Sequence, residues 1–367
     1  MKKNYFLLAA TTMMFAACAQ TDLVNEVVTE EAPQAIGFET FAEKATRAKS
    51  QTTELSTHHT NYYVWGYKNT DNSTLVFAGQ EVAAANNEYK PVKYWDKAAS
   101  TYYFYATAPS GFTFNEVKSG NVVTQNGAYF TLSNVEMKCT NFTDGTTQAQ
   151  TALSKDGGDI DYMISTTTAH NNTTAENQFY DPVNFNFKHI LSRLNVTVND
   201  KDNNTSDITL NFIKVIGLTT KATTFTSNEN VMDSRWVKDT SVKTDYVSTT
   251  SVNVPYGTTG TYVLEALVIP QTVKYEALGL DGTGDKTEPY VHVQYQMGTA
   301  PNVETYNAYY NLAALFGADG TTKTSVELSE ACLNTLHFIF NPSGIVFSTT
   351  TTSWGPGNTN GAGTTIE

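Results

Sequence analysis

The chain has 367 residues, of which 40% are hydrophobic and only 16% are charged, and its formal net charge at pH 7 is −13. This length is sufficient for two domains of ordinary size. The acidic balance leaves no basic patch, so nucleic acid is excluded as an expected partner.

The first segment has the pattern of a bacterial lipoprotein signal. Two lysines follow Met1, and residues 4–17 form a mostly apolar run that ends in two alanines before Cys18. The run is too short to span a bilayer, which requires about 20 residues. We therefore predict a signal peptide at 1–17 and diacylation of Cys18. An ordinary cleaved signal peptide with an incidental cysteine is the alternative.

The next segment, residues 18–47, is predicted to be a leader that ends at an isolated arginine, Arg47. The whole chain has only three arginines. Because the leader is polar and accessible, we predict proteolytic cleavage between Arg47 and Ala48. The alternative is a solvated charge without a processing role.

The rest of the chain is dominated by period-two alternation, which predicts β-strands. Residues 183–187 and 194–199 alternate apolar with polar side chains, whereas 262–269 is almost continuously apolar, as in a strand buried on both faces. A weak helical period runs through 305–316. Polar turn clusters between the strands predict antiparallel β-sandwiches, and a polar break near 200–206 is the predicted domain boundary.

Candidate metal ligands are sparse in this sequence. The pair His58-His59 has no neighbouring carboxylate cluster. Asp156, Asp159 and Asp161 could hold Ca²⁺ through oxygen ligands, but they lack the glutamate of a complete calcium loop. We therefore predict a turn with exposed acids, and neither a metal nor a cofactor.

Catalytic groups are not apparent either. Ser154, Ser165 and Ser192 lack the elbow motif of serine hydrolases, and no paired-carboxylate or phosphate-loop signature occurs. His189 and Arg193 are predicted to be structural, with the histidine satisfying backbone groups at a strand end. The prediction is that the protein is not an enzyme.

The cysteines other than Cys18 leave two possibilities open. Cys139 and Cys332 could pair in an oxidising compartment, or both could be buried free thiols. Their spacing favours neither possibility.

Several short motifs follow one another in a characteristic order. The more specific ones are F-x-F-x-H-x-L-S-R-L at 185–194 and V-I-P-Q at 268–271. The others lie at 36–38, 46–47, 63–67, 94–96, 103–106, 159–163, 345–347 and 354–355. Together with the lipoprotein signal, this order resembles the fimbrillin family of Bacteroidetes lipoproteins, the subunits of type V pili.

The resemblance implies an all-β fold with two tandem antiparallel β-sandwich domains of transthyretin-like topology. They would occupy residues 48–203 and 204–367, after the lipoprotein signal and the cleavable leader. The resemblance also implies that an arginine-specific protease removes the first strand of the N-terminal domain. A strand from another subunit then fills the groove, which is donor-strand exchange.

The segments that would take part can be named. Ile36 and Phe38 would point into the core from the removable strand, with their neighbours outward. Ile345 and Phe347 would belong to the donor strand. The glycine-rich tail beyond Trp354 is either part of the donor before capture or a loose end, and the sequence leaves this open.

We therefore predict a structural or accessory subunit of a type V-like pilus that contributes to adhesion. It would be surface-exposed on the cell outer membrane and in the fimbrium. Expected partners are other pilus subunits in a homo- or hetero-polymer, the processing protease, the outer membrane through the lipid, and a host protein or glycan. The alternative is a non-polymerising surface lipoprotein of the same fold that acts as a pilus anchor or an adhesin.

Overall fold

The computed structural model of the protein describes residues 33–42, 55–56, 59–70, 72–138, 160–165, 168–171, 179–201, 208–248, 251–257, 260–275, 289–318, 320–341, 344–353 and 364–366. The predicted lipidation site Cys18 and the predicted cleavage site at Arg47 and Ala48 lie outside the described residues. Cys139 also lies outside them.

Strands make up most of the described chain, as its β-branched and aromatic residues favour. They are β1 (Phe38–Ala42), β2 (Asn61–Asn69), β3 (Ser73–Ala83), β4 (Thr101–Ala108), β5 (Thr113–Ser119), β6 (Val122–Glu136), β7 (Met163–Ser165), β8 (Thr168–Asn171), β9 (Val183–His189), β10 (Ser192–Asp200), β11 (Ile208–Ile216), β12 (Lys221–Thr226), β13 (Trp236–Lys238), β14 (Tyr246–Val247), β15 (Val252–Asn253), β16 (Thr261–Val268), β17 (Gln271–Lys274), β18 (Tyr290–Met297), β19 (Glu304–Asn311), β20 (Ser325–Leu328), β21 (Cys332–Asn341), β22 (Gly344–Ser353) and β23 (Thr364–Ile366). The helices with described bounds are α1 (Met232–Arg235) and α2 (Leu312–Leu315). None of the described helices has the length and apolar character that a membrane span needs.

The N-terminal sheet has seven strands in the order β1-β9-β7-β4-β2-β3, with β8 beside β4. Period-two alternation in β9 is visible directly, because its residues are buried and exposed in turn. One face of the sheet buries an aromatic core, which we call the first core; it includes Phe38, Phe77, Phe104, Phe185 and Phe187.

A four-stranded sheet, in the order β13-β12-β6-β5, packs near the other face. Trp65 of the N-terminal sheet stacks on Phe114 with ring centroids 5.4 Å apart, and it meets Phe130 edge-on at 5.2 Å. This sheet joins strands from both sides of the predicted boundary at residue 203. The domain limits 48–203 and 204–367 stay a prediction.

The C-terminal sandwich consists of two five-stranded sheets. One has the order β16-β10-β21-β22-β23 and the other the order β14-β11-β18-β19, with β15 beside β11. Their inner faces meet through Tyr295 and Phe340, at 5.1 Å, and through Tyr310 and Phe338, at 5.7 Å. A two-stranded sheet of β17 and β20 lies beside them. The predicted all-β sandwich fold is confirmed.

Two strand pairs are parallel, β1 with β9 and β10 with β21, while the other paired strands of the described chain are antiparallel. The β10 strand lies between β16 and β21 and is buried along its whole length. Its alternating sequence suggested one polar, exposed face. Instead, partners bury that face: Asn199, for example, contacts His337 Nε2 through its Oδ1 at 2.6 Å.

The helical interpretation of 305–316 is wrong for most of that range. Residues Glu304–Asn311 form β19, which pairs with β18 along its full length. Only Leu312–Leu315 is helical, and the Asn311 side chain caps it by accepting a hydrogen bond from the Ala314 N–H at 2.9 Å. Pairing with a neighbouring strand has overridden a weak local pattern.

Gly66 on β2 gives the first test of the packing in the first core. A Cβ atom at this position would lie 2.9 Å from Phe104 Cδ1 and 2.9 Å from Phe77 Cδ2. Gly66→Ala is therefore expected to lower the free energy of unfolding by about 1–3 kcal/mol through overpacking. Chemical denaturation measures this change in the free energy of unfolding. Gly37→Ala is the control, because nothing lies within 4 Å of the added atom; equal losses in both variants would contradict the packing described.

Candidate functional site

The first strand lies at the edge of the N-terminal sheet. Strand β1 pairs on one side with β9, with Phe38 opposite Val183 and Ala42 opposite Phe187. The residues before it are held by the segment 93–95, to which Ile36 donates a backbone hydrogen bond at the Lys93 carbonyl, 2.9 Å away. We call residues 34–42 the first-strand segment and the site they occupy the first-strand groove.

The side chains of this segment point alternately into the first core and outward. Ile36 is 1% exposed, Phe38 is 5% exposed and Thr40 is fully buried, whereas Gly37 and Glu39 are exposed. This is the orientation that the alternation in the sequence predicts. Removal of the segment stays a prediction.

Phe38 fills an aromatic pocket in the groove. Its ring centroid lies 5.1 Å from Tyr89, 5.3 Å from Phe77, 5.6 Å from Phe185 and 6.4 Å from Phe104. Such tilted and edge-on contacts add to the energy of burying a large apolar ring. Phe38 is therefore the side chain that fixes the first strand in the groove.

Tyr89 also holds the backbone of the segment. Its hydroxyl group donates a hydrogen bond to the Ile36 carbonyl oxygen at 2.8 Å. Burial raises the pKa of Tyr89 above its ordinary value, so the phenol stays protonated and can donate at neutral pH. Tyr89 thus supplies both a ring contact and a hydrogen-bond donor to the strand in the groove.

The predicted donor strand is held in its own domain. Strand β22, which contains Ile345 and Phe347, pairs with β21 on one side and with β23 on the other. Both side chains are half-buried, and Phe347 contacts Tyr310 with ring centroids 5.5 Å apart. Whether this strand is donated stays a prediction.

A cluster of buried charges links the N-terminal sheet to the C-terminal sandwich, and it was not foreseen. His189 Nδ1, at the end of β9, lies 3.0 Å from Asp161 Oδ1. Asp161 is buried, so the expectation of a turn with exposed acids is wrong for this residue. The histidine lies beside a carboxylate because Asp161 lies just before β7, which pairs with β9.

An ion pair in the same cluster joins Arg193 on β10 to Glu265 on β16, two paired strands. Their side chains are 3% and 1% exposed. Burial lowers the pKa of Arg193 to about 10, and the charge of Asp161 acts in the opposite direction. The guanidinium therefore stays charged at neutral pH and neutralises a buried carboxylate, which is a structural role.

The remaining candidate residues bring no catalytic or metal-binding arrangement together in the described chain. No group of three or more metal-ligating side chains occurs among the described residues. His59 is buried, while His58, Asp156, Asp159 and Ser154 lie outside the described residues. The Ser192 hydroxyl donates to the Cys332 carbonyl at 3.4 Å, and Ser165 is a buried residue of β7.

Cys332 is a free thiol at the start of β21 in the described part of the chain. Burial raises its pKa above the ordinary value of a cysteine, which makes the thiolate form scarce at neutral pH. The pairing of Cys332 with Cys139 stays open.

The fold and the first-strand groove together define a β-sandwich protein whose first strand forms an edge of its N-terminal sheet. A family model described as Fimbrillin-like matches residues 46–354. The chain belongs to this fimbrillin-like family, as the sequence motifs predicted. Membership supports a surface-exposed, pilus- or adhesion-related role with other pilus subunits as partners, and it points to a structural, non-catalytic protein.

Solved structures similar to this chain include three from Bacteroides. A fimbrial protein from Bacteroides vulgatus ATCC 8482 is 14% identical, with 88% of this chain and 100% of that chain covered and a TM-score of 0.51. A putative cell adhesion protein from Bacteroides uniformis ATCC 8492 is 16% identical, with coverages of 88% and 99% and a TM-score of 0.42. One from Bacteroides ovatus ATCC 8483 is 9% identical, with coverages of 89% and 99% and a TM-score of 0.44. No curated protein sequence matches the chain.

Proposed function

We propose that the protein is a structural or accessory subunit of a type V-like pilus that contributes to adhesion. It would be exported as a lipoprotein, cut after Arg47 and assembled by donor-strand exchange. The observation that carries this proposal is the first-strand groove. A single edge strand fills it, and that strand is joined to the rest of the domain through residues 43–54, which contain Arg47.

Loss of the first strand would leave the groove in need of a replacement. The edge of β9 would lose its pairing partner along five residues, and unpaired backbone groups are costly when buried. The pockets of Ile36 and Phe38 would be exposed, and each such side chain contributes about 1.5–3 kcal/mol when it is buried. A strand from another subunit would restore both the backbone pairing and the burial of apolar side chains, which is the basis of β-strand addition.

The direction of joining follows from the positions of groove and donor. The groove lies in the N-terminal sheet, and the candidate donor residues Ile345 and Phe347 lie in the C-terminal sandwich. Each subunit would therefore give a strand at one end and accept one at the other. Such a heterologous contact yields an open fibre when its rotation does not close a ring.

The anchoring part of the proposal rests on the sequence. Diacylation of Cys18 would hold the precursor in the outer membrane, since two buried acyl chains give stable attachment. An arginine-specific protease acting after Arg47 would remove the covalent link between residues 18–47 and the rest of the chain, so that the first strand could leave the groove.

Arg47→Ala is the direct test of this function. We expect the variant to be exported and lipidated but to form no fibres, because the first strand stays tethered in its groove. Mass spectrometry of the surface-extracted protein reads the N-terminus: Ala48 is expected for the parent chain and acylated Cys18 for the variant. Arg235→Ala is a control for loss of an arginine elsewhere, and it should leave the N-terminus at Ala48. Normal fibres from the Arg47→Ala chain would contradict the proposal.

One observation favours a second candidate function, a surface lipoprotein that does not polymerise and serves as a pilus anchor or as an adhesin for a glycan or host protein. Strand β22 is paired on both edges within its own sheet, so a donor has to leave two neighbours. A surface-extracted parent chain that begins at acylated Cys18 would support this candidate over the first.

A further inference from the structure

A cleft lies between the four-stranded sheet and the face of the N-terminal sheet that points away from the first core. Its cavity volume is about 570 Å³, within the range of about 300–1,000 Å³ that small-molecule sites occupy. Strands β4, β7 and β9 line one side, β6 lines another, and the segment 227–235 between β12 and β13 completes the wall. The first strand contributes no residue to the described lining, so this cleft is separate from the first-strand groove.

The charged groups that line the cleft are positive. Lys188 on β9 and Arg235 at the end of α1 both line it, and none of the described lining residues carries a carboxylate. The chain as a whole has a net charge of −13 and only three arginines. Two cations that share a cleft in so acidic a chain favour an anionic ligand by charge complementarity.

The guanidinium group of Arg235 is held in one position before any ligand binds. Its Nε donates to Glu330 Oε1 at 2.6 Å, and its Nη1 donates to the carbonyl oxygens of Ser227, at 2.6 Å, and Glu229, at 3.1 Å. The group also lies 4.9 Å from the ring centroid of Phe225. Glu330 offsets part of the charge, but Nη2 has no hydrogen-bond partner in the described chain. A donor that is already positioned loses little conformational entropy when a ligand binds to it.

The uncharged part of the lining suits a sugar. Asn228 and Asn230 are exposed, and their side-chain amides have no hydrogen-bond partner among the described residues. An amide both donates and accepts, as the hydroxyl groups of a sugar require. Ala128 and Ile164 are half-buried in the lining and offer apolar surface to the C–H face of a sugar ring.

We propose that this cleft binds an acidic glycan. The carboxylate of one sugar pairs with Arg235 and Lys188, and the hydroxyl groups of that sugar bond to Asn228 and Asn230. A simple anion or an acidic side chain would use the cations alone and leave the amides and the apolar wall without a contact. The inference rests only on the adhesion part of the proposed function, to which it adds a ligand class and a site.

Binding is tested on the uncut chain, because the cleft needs neither cleavage nor strand exchange. Isothermal titration calorimetry compares two acidic glycans, sialyllactose and a hyaluronan tetrasaccharide, with lactose, which is sialyllactose without its acidic sugar. We expect at least one acidic glycan to bind about tenfold or more tightly than lactose, since a hydrogen bond to a charged group contributes at least this factor. Acetate at the same concentration should not displace the glycan.

Variants of the lining assign the binding to the cleft. Lys188→Gln should weaken it by about tenfold and leave the fold intact, because the side chain is exposed. Lys274→Gln is the matched control: this lysine is exposed on β17 and does not line the cleft, so affinity should equal that of the parent chain. Arg235→Gln should weaken binding as well. Because it leaves Glu330 without its partner, circular dichroism checks its fold, and the exposed Asn228→Ala provides an independent loss of affinity.

Four results would overturn the inference. They are equal affinity for lactose, displacement by acetate, failure of both acidic glycans (whether or not a glutamate-rich peptide binds instead), and binding that the lining variants leave unchanged. The proposed function is tested separately by electron microscopy of the chain cut after Arg47. Fibres from a chain that binds neither glycan would refute the cleft alone, whereas glycan binding by a chain that forms no fibres would refute strand exchange alone.

Discussion

Glu265→Gln is expected to lower the free energy of unfolding of the uncut chain by about 3–5 kcal/mol, the range found when one partner of a buried ion pair is removed. The substitution keeps the size of the side chain but removes the carboxylate paired with the buried guanidinium of Arg193, which then has only the charge of Asp161 to offset its own. Since burial already lowers the pKa of Arg193, the site has little solvent to compensate. Chemical denaturation followed by tryptophan fluorescence measures the loss.

An ion pair whose carboxylate is exposed provides the control. Lys238 Nζ lies 2.5 Å from Asp233 Oδ1, and the aspartate side chain is 71% exposed. Asp233→Asn should change stability by less than about 1 kcal/mol, as exposed pairs do. The double variant Arg193→Met with Glu265→Met should recover most of the loss, because it removes both charges. If Glu265→Gln lowers the free energy of unfolding as little as Asp233→Asn does, the buried ion pair does not stabilise the fold and our account of it is wrong.

Phe38→Ala should also destabilise the uncut chain by about 3–5 kcal/mol, the usual range for truncating a buried phenylalanine. Phe38 contacts four aromatic rings in the groove, and among the described strands β1 pairs with β9 alone. Loss of the ring should therefore free the strand from the groove before the rest of the domain unfolds. Hydrogen exchange at Phe185 and Phe187, which face β1, would report this local opening.

Glu39→Ala is the control for this prediction, because it lies in the same strand and its side chain is exposed. A surface substitution of this kind is expected to stay within about 0.5 kcal/mol. Equal stability of the two variants would mean that the ring is not what fixes the strand, and the description of the groove would have to be revised.

Local pattern was sufficient to predict the strands but not their partners. The alternation at 183–187 and the apolar run at 262–269 correspond to β9 and β16, whose burial follows the sequence directly. The position of β10 between β16 and β21 could not be predicted, because its neighbours are distant in sequence. Its polar residues look exposed until both of those neighbours are placed.

The candidate site shows the same limit. The inward direction of Ile36 and Phe38 follows from period two, yet the aromatic pocket depends on residues from β3, β4 and β9 and on Tyr89. The contact between Asp161 and His189 spans 28 residues and carries no motif.

The position of residues 43–54 between β1 and the rest of the domain affects when a subunit can accept a strand from another molecule. A strand joined by a short tether competes for its site at an effective concentration on the order of millimolar, far above that of a donor on another molecule. A cut at Arg47 would change no contact in the groove and would remove only this advantage of proximity. Once the strand left, no covalent link would return it to the groove, so proteolysis would set when each subunit becomes able to accept the next.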